Sequence, residues 1–303
     1  MDRITHIFIR NVRAIEYAEI ELGRPMTVLI GENGAGKSTI LECFEVLRKA
    51  ADPGFLHQFY NVHRGLPGLM RRGATWMELG IGLTLADGGS VTYRFRLETQ
   101  GAGAAVTNET LENAIDGFEV LGTVQGRLMV WDGRPGARAF VEVPRPAHAL
   151  GIAAREVQEK DPRIAAVARA LAGMEVHLPF DTVASWGART YQRQESLRVA
   201  STLFPAERLS LRGMNLANAW AELRNREAAH WEHTMAIVRL GLGEHVDSVV
   251  ITPDAGGGNV YLALRFKGYN DLILAADLSD GQLSWLAFVA MVRLNEGRTL
   301  LAV

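Results

Sequence analysis

Cysteine is almost missing from this chain, with Cys43 alone, and that excludes an internal disulfide framework or a cysteine-built zinc site. Cys43 falls in an apolar helical run, where a core thiol is the ordinary reading and a reactive one the alternative. Long hydrophobic runs are missing too. The longest, Trp285 to Val292, is far too short to span a bilayer, and Met1-Asp2-Arg3-Ile4-Thr5-His6 contains no apolar leader. A cytoplasmic chain without a membrane partner is expected. Charge of one sign is lacking as well, since the formal net charge is -2. Nothing global then attracts nucleic acid, and any DNA contact has to come from a local patch or a partner. There is no heptad run, internal repeat or low-complexity linker.

What is present is an ordinary globular composition of 303 residues, 48% apolar and 22% charged, enough chain for about two domains. Ile4 to Ile9 and Tyr17 to Leu22 read as two strands joined by a polar turn. Met26-Thr27-Val28-Leu29-Ile30 is a continuous apolar run of the kind expected for a strand buried on both faces. A glycine-rich loop follows, then a helix from about Lys37 to Ala50, stopped by Pro53-Gly54. Leu79, Ile81, Leu83 and Leu85 alternate along one strand, and Val91, Tyr93, Phe95 and Leu97 along the next. Asp87-Gly88-Gly89-Ser90 turns the chain between them as a hairpin. Phe118 to Val143, with turns at Asp132-Gly133 and Arg134-Pro135-Gly136, continues the antiparallel pattern.

Residues 147–174 are Ala-rich and helical in period, with Asp161-Pro162 marking a helix start. A second helix is predicted over Asn215 to Leu240; about 25 residues reach only about 38 Å, which leaves no room for a long coiled-coil arm. Strands return at Ser248 to Thr252, Val260 to Phe266 and Leu272 to Leu274, with Gly256-Gly257-Gly258-Asn259 turning the first pair. A helix from Gln282 to Asn295 and a strand from Thr299 to Val303 complete the sequence. The predicted organisation is a lobe over 1–145 with the glycine loop and a β-subdomain, a helical insertion over 146–245, and a second lobe over 246–303.

Gly31-Glu32-Asn33-Gly34-Ala35-Gly36-Lys37-Ser38-Thr39 carries the strongest chemistry. Glycines let successive backbone N–H groups turn onto phosphates, a lysine neutralises the β/γ oxygens, and a Ser/Thr hydroxyl ligates magnesium. Asn33, Gly34, Ala35, Gly36, Lys37, Ser38 and Thr39 are thus the candidate cradle for ATP, with Ser38 the candidate Mg²⁺ ligand. Leu278-Ser279-Asp280-Gly281-Gln282 is weaker alone, because Ser279 with Gln282 three positions on is also a helix capping box. Both readings can hold together.

These two motifs, with Asn11-Val12-Arg13 and Met214-Asn215-Leu216-Ala217-Asn218, make the chain resemble the RecF-like bacterial AAA ATPases. These are similar to SMC and RecF heads without long arms, and they include OLD-type and phage-defence ATPases. The resemblance implies an α/β fold, a P-loop NTPase of ABC/SMC-head type with an antiparallel β-subdomain and a short helical insertion. It also implies that Ser279, Gly281 and Gln282 serve as a signature loop reaching the γ-phosphate of ATP on an opposed subunit. The implied protein is an ATP-hydrolysing switch that forms head-to-head homo-oligomers and controls an effector partner such as a nuclease or toxin, or DNA. The implied alternatives are a non-hydrolysing ATP-binding scaffold and a DNA-repair ATPase of RecF type. In the family, Asp-Glu acids follow a strand like Leu300-Leu301-Ala302-Val303. Val303 is the last residue given, so no catalytic residue is expected within this sequence.

Further candidates are less specific. Gln192 or Gln194 fits a γ-phosphate-sensing glutamine or an ordinary surface residue, and Arg13 fits a nucleotide contact or a solvated turn. Arg189, Arg193, Arg198, Arg208 and Arg212 form the densest basic stretch, either a solvated face or a surface for DNA or a partner. Trp76, Trp131, Trp186 and Trp220 read as packing aromatics rather than base-stacking ones. His57, His63, His230 and His233 lack metal-ligand spacing.

Overall fold

The computed structural model describes residues 2–22, 26–57, 65–100, 103–131, 140–144, 149–180, 182, 197–253 and 258–303. The chain divides into two compact units, Met1–Val176 with Arg298–Ala302, and His177–Gly297 with Val303. The first division falls beyond the predicted boundary at 145, because the helical stretch after it packs within the N-terminal unit. No described helix is long and apolar enough to cross a membrane.

Alternation builds the first unit. An eight-stranded antiparallel sheet runs in the order β2-β1-β3-β4-β5-β6-β7-β8. Its strands are β1 (Arg3–Val12), β2 (Ile15–Glu21), β3 (Trp76–Thr84), β4 (Ser90–Gln100), β5 (Gly103–Asn113), β6 (Glu119–Val124), β7 (Arg127–Trp131) and β8 (Phe140–Val143). Ile7 and Ile9 of β1 lie opposite Ile81 and Leu79 of β3, which in turn face Tyr93 and Phe95 of β4. All are buried, so one side of the sheet is core. The other side carries stacked arginines and aromatics: Arg94 lies 4.4 Å from the Phe8 ring centre and Arg96 4.1 Å from that of Trp76.

Against the apolar side lie α1 (Lys37–Lys49), which buries Cys43, Phe44, Val46 and Leu47, and α3 (Pro162–Ala172). Asp161 starts α3 as predicted, its carboxylate accepting the Arg163 N–H at 2.8 Å, with Pro162 at the first helical position. The rest of the Ala-rich stretch is not one helix. It contains a 3-10 turn (Gly151–Ala153), a single turn α2 (Arg155–Gln158), and β9 (Met174–Val176). Glu109 of β5, fully buried, ties this stretch to the sheet, its carboxylate accepting the Gly151 and Ile152 N–H groups at 2.7 and 2.9 Å and the Tyr93 hydroxyl at 2.9 Å. β14 (Leu300–Ala302) pairs in parallel with β9, and the buried pair Arg298–Glu175 at 2.6 Å clamps the two.

In the second unit, β12 (Asn259–Phe266) pairs antiparallel with β11 (Val246–Pro253), β10 (Ser201–Thr202) and β13 (Leu272–Leu274). The predicted helix over 215–240 is two, α4 (Leu216–Arg224) and α5 (Ala228–Leu242), broken at Asn225-Arg226-Glu227. The break brings the rings of Trp220 and Trp231 to 6.0 Å, edge to face. In one straight helix eleven residues would separate them by about 16 Å. The two asparagines of the 214–218 motif are staples: Asn218 accepts the Phe204 N–H and donates to the Thr202 carbonyl, and Asn215 joins Ser210 to Arg208. Helix α6 (Asp280–Arg293) packs closely on α5, since a β-carbon on Gly241 would lie 2.3 Å from the Trp285 ring.

Candidate nucleotide-binding site

The P-loop lies between residue 30 and α1. Gly34 and Gly36 adopt φ values of +88° and +100°, open to glycine and strained for other residues. Gly36 is also closely approached, because a β-carbon there would sit 3.3 Å from Ile15 Cγ1 at the start of β2, tighter than an ordinary contact. Gly36 caps α1 with no side chain bonded over the helix end and no acid in the first turn. Among the described residues, the N–H groups of Gly34, Gly36, Lys37 and Ser38 donate to no protein acceptor. Unpaired N–H groups at the positive end of a 13-residue helix form an anion site ready-made.

Lys37 folds back over this mouth, its Nζ donating to the carbonyls of Gly31 and Glu32 at 2.6 and 2.7 Å. An ammonium has three N–H bonds, so the third remains for a phosphate oxygen. Ser38 is exposed beside it, while Thr39 is buried at the root of the helix.

Residues 26–30 depart from expectation. They form no strand, and Met26, Val28 and Ile30 are 75%, 63% and 92% exposed. An apolar run favours burial, but a strand also needs a ladder partner, and among the described residues no strand pairs with this one.

Arg13 sits in the β1–β2 turn with φ +46°, next but one to Asn11 at +56°. The strain is held by pairing with the chain beyond: the Arg13 N–H donates to Leu69 and the Arg71 N–H to Asn11, both at 2.9 Å. The Arg13 side chain is ion-paired to Glu42 of α1 at 2.6 Å. A cleft of about 460 Å³ opens beside it, lined by Pro67, Gly68, Met70, Arg71 and Arg72. The neighbouring Ile15 contact places this turn at the edge of the P-loop.

In the second unit, Ser279 caps α6 with the predicted box: Gln282 N–H donates to Ser279 Oγ at 3.3 Å, and Ser279 N–H donates to Gln282 Oε1 at 2.8 Å. The Ser279 hydroxyl accepts in this arrangement, which leaves its own proton free to donate. A β-carbon on Gly281 would meet nothing within 4 Å, so the first turn of α6 faces open space.

Gln192, Gln194, Arg189, Arg193, Trp186 and His63 lie outside the described residues. Arg198 is corrected outright, being buried rather than on a solvated or partner face, with its guanidinium on the turn before α6. Sequence reasoning also missed Ile15, a plain β-branched strand residue whose contact with Gly36 carries no local signal. His230 and His233 gather no third metal-ligating side chain among the described residues.

Residues 6–47 match the AAA domain. The matched stretch runs from β1 through the P-loop into α1, and it supports nucleotide binding at the cradle described above. No curated protein matches the chain. Among solved structures the chain is similar to the recombination mediator protein RecF, solved with ATP and placed in the RecFOR pathway, at 17% identity and a TM-score of 0.28. The similarity covers 39% of this chain and 28% of that one.

Proposed function

We propose that the chain is an ATP-dependent molecular switch in which two copies close head to head over two nucleotides. The observation that carries the reading is the P-loop itself, free N–H groups at the start of α1 beneath a lysine with one unused donor. Asn33, Gly34, Ala35, Gly36 and Thr39 shape the cradle, Lys37 neutralises the β/γ oxygens, and Ser38 Oγ ligates Mg²⁺, which supplies charge neutralisation at the phosphates. Arg13 borders the nucleotide, and Gln192 or Gln194 senses its γ-phosphate.

The open first turn of α6, with the Ser279 hydroxyl and the Gly281 N–H, takes the γ-phosphate held by the opposed copy, while Gln282 keeps the turn capped. Closure transmits nucleotide state to an effector protein or to DNA, the role that similarity to RecF-like, OLD-type and phage-defence ATPases implies.

Light scattering with and without a slowly hydrolysed ATP analogue tests the reading. The wild type is expected to double its mass with nucleotide. Ser279→Arg, which places bulk where the second phosphate must approach, is expected to keep ATP binding and lose association. A wild type that stays monomeric at saturating nucleotide refutes the sandwich.

A further inference from the structure

Among the described residues of the second unit, Arg198 is a heavily engaged cation. Its side chain is 5% exposed and precedes β10. Nε donates to the Thr182 carbonyl at 2.7 Å. One terminal nitrogen donates to the carbonyls of Ala276 and Leu278 at 2.9 and 2.5 Å, with Ala275 at 3.3 Å. The other donates to Asp280 Oδ1 at 2.6 Å. A guanidinium is the side chain that can hold several acceptors at once, because its donors are fixed in one plane.

Two consequences bear on the turn before α6. A trans peptide points its C=O and N–H in opposite directions. With the Leu278 carbonyl drawn onto Arg198, the Ser279 N–H is turned outward to Gln282. Charge is the second consequence. Asp280 opens α6 and is 69% exposed, so its carboxylate stands where the helix end would otherwise attract an anion, and like charge there opposes a phosphate. Arg198 offsets it.

We infer that Arg198 is a positioning residue that orients the Ser279 peptide and cancels the charge of Asp280, so that the first turn of α6 can receive the phosphate of a nucleotide held by another copy. The inference rests on the proposed head-to-head closure. It adds a buried residue that lies about 80 positions from the loop it sets.

The test compares wild type, Arg198→Gln, and Arg198→Gln with Asp280→Asn, all in the full chain. Losing charge-assisted bonds to the turn is expected to weaken analogue-dependent association by about tenfold or more, with the ATP affinity of each copy unchanged. The added Asp280→Asn is expected to restore part of the loss, which a purely structural role would not allow. In parallel, hydrogen exchange of a peptide spanning 275–286 is expected to quicken in Arg198→Gln while one spanning 37–49 stays as it was. Unchanged exchange with undiminished association overturns the role of Arg198 and leaves the closure model standing. Equal association by the single and double variants overturns the charge argument. If the wild type does not associate, faster exchange confined to 275–286 retains the orienting role while the closure model fails. Should Arg198→Gln not fold, Arg198→Lys, which keeps charge but loses the planar fork, carries the same comparison with the same expected weakening.

Discussion

Lys37→Ala isolates the charge at the P-loop mouth. In the free protein Lys37 Nζ spends two of its three N–H bonds on the carbonyls of Gly31 and Glu32. Both residues are exposed, so water replaces the lost donors and no buried group is left unpaired. Stability should stay within about 0.5 kcal/mol, as for surface substitutions generally. Affinity should not. The third donor and the ammonium charge act on phosphate oxygens, and a hydrogen bond to a charged group is worth about 1.5–3 kcal/mol. That corresponds to an ATP affinity weakened by about ten- to a hundredfold.

Calorimetric titration of both proteins reads the affinity, and urea unfolding reads the stability. Lys37→Met, which keeps most of the side-chain bulk, should lose as much as alanine, because bulk is not what the phosphate uses. Equal affinities for wild type and Lys37→Ala would refute the cradle. So would a loss of binding matched by a loss of stability, since the lysine would then be holding the loop rather than the ligand.

Three other predictions concern the frame around these sites. Glu109→Ala removes the acceptor shared by the Gly151 and Ile152 amides and the Tyr93 hydroxyl and should cost about 3–5 kcal/mol in urea unfolding; a loss under about 1 kcal/mol would show that water substitutes there. Gly241→Ala gains about 1 kcal/mol in helix propensity, but drives a methyl into the Trp285 ring, so a net loss of about 1–2 kcal/mol is expected, read by thermal unfolding. Burial first, and the neighbouring Glu42 charge second, push the Cys43 thiol above its ordinary range; the native protein should resist a thiol-reactive disulfide reagent at pH 8 and react fully once unfolded.

Features set by nearby residues were legible in the sequence. The P-loop turns on glycines two and five residues apart beside a lysine, and positive φ at Gly34 and Gly36 follows from that spacing. The hairpin of β3 and β4 was legible because large apolar residues recur at every second position on the core face, which writes period two into the sequence. The Ser279 and Gln282 box was legible because both partners lie within one helical turn.

Where partners are distant, local pattern misled. Leu216 to Leu240 carries no proline, and its period is helical throughout. The break at Asn225 to Glu227 lets Trp231 return to Trp220, a tertiary contact that propensity does not encode. Met26 to Ile30 shows the converse, for its apolar side chains state a preference for burial without naming a partner.

Arg198 shows why chemistry can hide where pattern is weakest. In sequence it is one arginine of a loosely basic stretch, and charge counting treats it like Arg212, which is exposed. What separates them is acceptor supply: the turn 275–280 offers Arg198 three carbonyls and a carboxylate. Removing a guanidinium from water is costly unless its donors are met, so a buried arginine is tolerated only where a fixed set of acceptors already converges. The converse has force for the site. Carbonyls at the entrance to α6 stay drawn inward only while a multivalent donor remains opposite them, and an outward-facing first turn is therefore a property of two segments of the second unit acting together rather than of the Leu278 to Gln282 motif alone.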